Sequence, residues 1–282
     1  MSGKIGKFTI GMAGAVACVG LLSAGTPAAR AATYSNDFSS GTGDWAPFAA
    51  SGGTASTTFT NDSNGHLQIN NGGSTTSGGY SLFGGVRPLF SSARDSLDVY
   101  INPSVATNGG YSYQWDLSTA LFGSQDFIFH ADGSGSNVDV WTSNGSSDGP
   151  TSPGPAVGQP SYAISQSGWY TFEWNFVIDG SGNLQATMGL LAQGASTPLQ
   201  TWAFNNSNDK YLKDQNASQT FAAGGQPNYL WFTYLTPNSL LVDNEQLTTT
   251  PTPLPSSVGL AGVGALTLIG GLALRRRMAA KL

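Results

Sequence analysis

The stretch Tyr111-Ser112-Tyr113-Gln114-Trp115-Asp116-Leu117 alternates apolar and polar residues without a fault, and this period of two constrains the fold more than any other feature of the chain. A β-strand sends successive side chains to opposite faces, so such a segment forms a strand with one face buried and one wet. Leu97, Val99 and Ile101 repeat the pattern, and the segments 127–129, 138–141, 184–190 and 229–235 supply further strands. Between them stand Asn64-Gly65, Asp132-Gly133-Ser134-Gly135 and Asp179-Gly180-Ser181-Gly182-Asn183. These are turn signals, because Gly and Asn adopt a positive φ at little cost. No amphipathic helix of useful length precedes residue 256. Many short strands and no helices predict an all-β protein, a sandwich or a barrel.

One hairpin narrows the choice. Tyr170, Phe172, Trp174, Phe176 and Ile178 share a face, and after the turn at Asp179–Asn183 the chain returns through Leu184, Ala186, Met188 and Leu190. This Trp-led strand with its Asp-Gly turn resembles the hairpin that recurs in concanavalin-like jelly rolls, the laminin-G and legume-lectin relatives. The segments Phe38–Trp45 and Leu240–Leu247 resemble the first and last strands of many carbohydrate-binding sandwiches. The resemblance implies an antiparallel β-sandwich of jelly-roll type; a sandwich must cover or pair its terminal edge strands, so the strand near Asp37 is expected close to the strand near Asp243.

The two ends point to the membrane. Lys4 and Lys7 form a positive start, Phe8 to Leu22 is largely apolar, and Ala29-Arg30-Ala31 offers an A-x-A cleavage site before Ala32. This is the pattern of a secretory signal peptide, which predicts passage through the Sec translocon and cleavage by signal peptidase. At the other end Pro251-Thr252-Pro253-Leu254-Pro255 precedes an uncharged apolar run from Ser256 to Leu274, closed by Arg275-Arg276-Arg277. As a helix the run is about 28 Å long, enough to span a bilayer, and the arginines behind it belong on the cytoplasmic side. Pro253-Leu254-Pro255, a spanning helix and an arginine cluster together resemble the PEP-CTERM sorting signal of Gram-negative bacteria, in a variant lacking the glutamate of Val-Pro-Glu-Pro. The resemblance implies an exosortase as partner, an inner-membrane-anchored precursor, and a mature form at the cell surface or outside it. The organisation expected is a signal peptide over 1–31, an exported sandwich over 32–249, and a sorting region over 250–282 containing the helix 256–274.

The exported part holds all 16 acidic residues but only four of the 11 basic ones, Arg87, Arg94, Lys210 and Lys213, a formal net of −12. Nucleic acid is excluded as a partner, since binding needs Lys and Arg on phosphates. Cys18 is the only cysteine and lies in the signal peptide, so no disulfide and no Cys-ligated metal is available to the mature chain.

Catalysis finds little support in the residue pattern. Glycoside hydrolysis takes two carboxylates about 5–10 Å apart, yet Glu173 and Glu245 are the only glutamates and no Glu-x-Asp-x-x-Glu arrangement surrounds either. His66 and His130 read as turn or surface residues, with no third group in view to orient a base beside a serine. The expectation is a domain that is not an enzyme and has no catalytic residues. A metal enters through the likeness to carbohydrate-binding sandwiches, in which a structural calcium joins the first and last strands; Asp37, Asp44 and Asp243 would suit it. Tyr229-Leu230-Trp231-Phe232-Thr233 is apolar on both faces, whereas a two-layer sandwich buries only one face of each strand. Trp231 and Tyr229, with Trp141, are therefore candidates to stack on a neutral polysaccharide. The alternatives are a purely structural surface protein and, behind it, a jelly-roll glycoside hydrolase.

Overall fold

The computed structural model describes residues 31–49, 57–71, 77–85, 90–106, 110–120, 126–144, 158, 160–180, 184–204 and 229–251. The chain divides into two units, Met1–Arg30 with Pro253–Leu282, and Ala31–Thr252. The first unit, with the signal peptide, Ala29, Pro253 to Pro255, the helix over 256–274 and Arg275 to Arg277, lies outside the described residues. Among the described residues no helix is long and apolar enough to cross a membrane.

The strands are β1 (Thr33–Asn36), β2 (Ala46–Ala49), β3 (Thr58–Asn61), β4 (Leu67–Asn70), β5 (Ser77–Ser81), β6 (Phe90–Ile101), β7 (Gly110–Ala120), β8 (Phe127–Gly133), β9 (Val138–Asn144), β10 (Tyr162–Ile164), β11 (Gly168–Ile178), β12 (Leu184–Ala192), β13 (Gln200–Phe204), β14 (Tyr229–Thr233) and β15 (Ser239–Pro251). They form two antiparallel sheets. Sheet A runs β13-β12-β11-β6-β15-β4-β3, with β1 paired to β15, and sheet B runs β10-β9-β8-β7-β14-β5-β2. The sheets pack face to face as a jelly-roll sandwich, the fold that the alternation and the hairpin predict.

Period two decides which residues fill the interior. On β11 Tyr170, Phe172, Trp174 and Phe176 are buried, and on β12 Leu184, Ala186, Met188 and Leu190 join them across the register Phe172↔Leu190 and Trp174↔Met188. From sheet B come Trp115 and Leu117 of β7, Phe127 and Phe129 of β8, and Leu230 and Phe232 of β14. Edge-to-face aromatic contacts join the layers, with ring centroids 4.9 Å apart for Phe129 and Trp174 and 5.3 Å for Trp115 and Phe172. The Trp174 indole N–H donates to the Phe127 carbonyl at 3.0 Å, a polar tie across an otherwise apolar layer.

Turn chemistry fixes the registers. Gly65 takes φ +89°, its N–H donates to the Asp62 carbonyl, and β3 turns into β4. Ser134 N–H donates to the Asn137 carbonyl and Gly135 takes φ +78°, which sets β8 against β9 as Phe127↔Asn144 to Gly133↔Val138. At Gly78 a Cβ would stand 1.7 Å from the Phe232 carbonyl oxygen, so only glycine lets β5 close on β14.

The terminal strands meet, as expected of a sandwich that must cover or pair them. β1 pairs with β15 from Thr33↔Thr248 to Asn36↔Glu245. Ala32 N–H donates to Thr249 Oγ1 at 3.0 Å and Thr249 N–H returns to the Ala32 carbonyl at 2.9 Å.

Candidate functional site

The outer face of sheet B, away from the core, carries an arrangement that no single segment announces. Neighbouring strands lie about 4.8 Å apart, so residues in register form rows across the sheet. One row is Thr233, Asp116, His130 and Trp141, and the next is Trp231, Ser118, Ile128 and Ser143. Because Phe127, Phe129 and Ala131 face the core, Ile128, His130 and Asp132 must face the other way.

His130 bridges the rows. Its Nδ1 lies 2.8 Å from Asp116 Oδ1, and its Nε2 lies 2.7 Å from Ser143 Oγ. The Trp141 indole stacks on the imidazole, 5.2 Å between centroids and 20° between planes. All four residues are buried, His130 at 1% exposure. Burial pushes the Asp116 carboxyl up, and the His130 partner pulls it partly back. The reading of His130 as a turn or surface histidine is thereby corrected: the β7-β8-β9 meander supplies the orienting carboxylate and the serine from strands 14 and 13 residues away. Next to Asp116 on the same face, Gln114 is buried and its Nε2 makes no hydrogen bond.

The three stacking candidates share this face. Leu230 and Phe232 point into the core, so Tyr229, Trp231 and Thr233 point outward, half-buried. Tyr80 stands beside Trp231 in the register of β5, and Tyr229 meets Trp231 edge-on at 5.8 Å. The Tyr229 hydroxyl donates to Asp126 Oδ1 at 2.8 Å, and burial together with that carboxylate raises the phenol. Trp141 lies three strands away, buried against His130. Tyr111 lies on β7 with its side chain outside the described residues, and Trp115 is in the core.

Each of the acidic candidates has hydrogen-bond partners within the protein. Asp37 caps its own turn, accepting from Ser39 N–H at 3.1 Å and Ser39 Oγ at 2.8 Å. Asp243 accepts from Asn244 N–H at 2.8 Å, and its carboxyl is raised by burial, with Asp98 and Asp37 adding their negative charge. Asp44 has both oxygens taken by protein donors: Tyr34 OH at 2.7 Å, Ser81 Oγ at 2.8 Å, Leu82 N–H at 3.1 Å and Gly84 N–H at 2.7 Å. These bonds tie Asp44 to the segment 81–84. Among the described residues no three His, Cys, Asp or Glu side chains gather as a metal site.

Asp44 belongs to a carboxyl cluster that the sequence pattern leaves unread. Glu245 is fully buried, accepts from the Trp45 indole N–H at 2.8 Å, and has its carboxyl pushed up to about 8, first by burial and further by the charges of Asp44 and Asp95. Asp95 follows Ala93 and precedes Leu97 on the inward face of β6. Neither of its oxygens finds a well-formed hydrogen bond, the Thr119 hydroxyl offsets only part of the burial, and its carboxyl rises to about 7. The two glutamates never face one another. Glu245 is inside, while Glu173 lies on the outer face of sheet A, paired with Arg94 and hydrogen-bonded by Asn175.

No family model and no curated protein matches the chain. Among solved structures the chain is similar to the endo-1,3-β-glucanase of Streptomyces sioyaensis, with TM-score 0.45 and 14% identity over 82% of this chain and 100% of that one. It is similar also to the PL-14 alginate lyase of Aplysia kurodai, with TM-score 0.40 and 13% identity over 69% and 87% of the two chains. A third is the alginate lyase Aly36B, with TM-score 0.40 and 13% identity over 79% and 98%. At such identities the likeness bears on the fold alone and carries no activity across. The expectation that the domain is not an enzyme is corrected to this extent: the three solved structures named here are enzymes.

Proposed function

We propose that the protein is an exported, exosortase-sorted protein of the cell surface or extracellular matrix that holds a neutral polysaccharide on the outer face of sheet B. The observation that carries this reading is the aromatic strip of Tyr80, Trp231 and Tyr229, turned outward and half-buried on strands whose alternate residues fill the core. Sugar rings lay their apolar C–H faces on such side chains, and stacking needs no charge on the ligand. Charge favours a neutral ligand too. The described residues of this face include Asp116, Asp132 and Asp139 and no Lys or Arg, so an anionic polymer would meet repulsion.

The test is binding of the full chain, purified in detergent micelles, to neutral glucans and to the producer's own exopolysaccharide. Wild type should bind, and Trp231→Ala should weaken binding by roughly tenfold, the worth of one lost aromatic contact. Equal binding by a folded Trp231→Ala variant, or none by wild type, would favour a purely structural surface protein.

Sorting rests on Pro253-Leu254-Pro255, the apolar run 256–274 and the arginines behind it, and has its own readout. Replacing Arg275, Arg276 and Arg277 should leave a longer, unprocessed precursor, seen by mass spectrometry of the envelope fractions. Peptides containing Leu274 recovered from the outer surface fraction of wild type would overturn sorting by cleavage.

A further inference from the structure

We propose that Ser143 is the nucleophile of an ester-cleaving site on the outer face of sheet B, with His130 as its base and Asp116 as the positioning residue, acting on acyl groups carried by a polysaccharide. The substrate class rests on the polysaccharide reading above; the chemistry of the three residues does not.

The hydrogen bonds give the arrangement a direction. Asp116 offers only acceptor oxygens when ionised, so the His130 proton sits on Nδ1, 2.8 Å away. Nε2 then holds a lone pair, and at 2.7 Å it can only accept from the Ser143 hydroxyl. That is the polarity a serine needs to lose its proton during attack, with the base held in one tautomer by a third group. A role in stability alone explains the trio poorly. Three apolar side chains would bury the same area without desolvating a carboxylate and an imidazole. The trio is buried, but on the outer face of sheet B and outside the apolar core between the sheets. Trp141 stacked on the ring holds the imidazole plane in place.

Position supplies the substrate. The aromatic strip is on β14, adjacent to β7, and Thr233 is in register with Asp116 as Trp231 is with Ser118. A chain stacked on Tyr80 and Trp231 follows the row that continues through Ser118 and Ile128 to Ser143, and so reaches over β8 and β9, about 10–14 Å across the sheet. A neutral polysaccharide offers hydroxyls and acetals, neither of which carries an acyl carbon for a serine to attack. Its only carbonyl carbons are those of ester or amide substituents, and esters are the more reactive. In the first step Ser143 Oγ bonds to the ester carbonyl carbon and its proton passes to His130 Nε2. The bond to the sugar oxygen then breaks and that oxygen takes the proton, leaving acyl-Ser143 and a free sugar hydroxyl. Water, deprotonated by His130, cleaves the acyl-enzyme and releases the carboxylic acid, and Ser143 recovers its proton.

The test uses the full chain in detergent micelles with a fluorophosphonate probe, which reacts with activated serines and needs no glycan, followed by peptide mass mapping. Hydrolysis of p-nitrophenyl acetate is followed from pH 5 to 9, and thermal melting reports on the fold. Wild type should be labelled at Ser143, and Ser143→Ala, which removes one oxygen, should lose both label and hydrolysis. Asp116→Asn should slow labelling by roughly 100-fold or more and change the pH profile at an unchanged melting temperature. Folded wild type that stays unlabelled, label that survives Ser143→Ala, or an Asp116→Asn variant that labels at the wild-type rate would overturn the proposal. Glucan binding without labelling sinks the esterase and leaves the polysaccharide reading standing; labelling without glucan binding does the reverse.

Discussion

Trp174→Ala is expected to destabilise the protein by about 3–5 kcal/mol, the range for removing a large aromatic from a packed core. Trp174 is fully buried, meets Phe129 edge-on at 4.9 Å and donates its indole proton to the Phe127 carbonyl. The substitution therefore opens a cavity between the sheets and removes the donor that satisfies a buried carbonyl. Denaturant unfolding should show a lower midpoint at an unchanged slope, since the surface exposed on unfolding is nearly the same. A loss below about 1 kcal/mol would mean that the layers are not packed through this residue.

Stability should also fall as pH rises from about 4 to about 8. Asp95 and Glu245 have ordinary carboxyl values of 3.8 and 4.5 and are raised in the fold to about 7 and about 8, chiefly by burial. Between those limits the folded state holds protons that the unfolded state has released, so unfolding becomes more favourable with every step up in pH. Below about 4 both states are protonated and nothing is lost; above about 8 both are ionised and the full cost is present. Each group alone corresponds to on the order of 4 kcal/mol. The two act on one another, so the combined fall is several kcal/mol rather than a simple sum. Asp37 and Asp62, lowered by hydrogen bonds in surface turns, work in the opposite sense but at exposed sites screened by water. Asp95→Asn should match wild type at pH 4, where the two side chains are near-isosteric and neutral, and exceed it at pH 9. Equal stability of the two at pH 9 would show that Asp95 does not titrate inside the fold.

Alternation carried the fold into view. The strands around residues 97–101, 111–117, 169–178 and 184–190 follow directly from it, and so does the direction of Trp174, because a two-layer sandwich leaves little choice about which face of a strand goes inside. The same parity, continued back from Leu97 along β6, puts Asp95 inside. A lone aspartate in an apolar column was there to be read as a buried carboxyl. The relay was harder, because Asp116, His130 and Ser143 become neighbours only through two registers. One of those was within reach: centring the turn on Ser134–Asn137 sets His130 opposite Trp141 and diagonal to Ser143. The other, Asp116↔His130, depends on the loop between β7 and β8, for which the sequence offers no comparable turn signal. The hydrogen-bond partners of Asp44 were out of sight for a related reason: Ser81, Leu82 and Gly84 come from about forty positions away.

The place of β15 has a consequence for how the molecule comes to exist. It is the last of the described strands, yet it lies in the interior of sheet A, flanked by β6 on one side and by β4 and β1 on the other. Translation delivers β6, β4 and β1 first; β1 has no strand partner, and β6 and β4 have only β11 and β3, until residues 239–251 emerge. The contacts that close sheet A span up to 217 positions, as between Ala32 and Thr249. Loop closure over such distances makes folding slow, and the growing chain can close only in part while it is being made. Sheet A therefore closes only after residues 239–251 have been made.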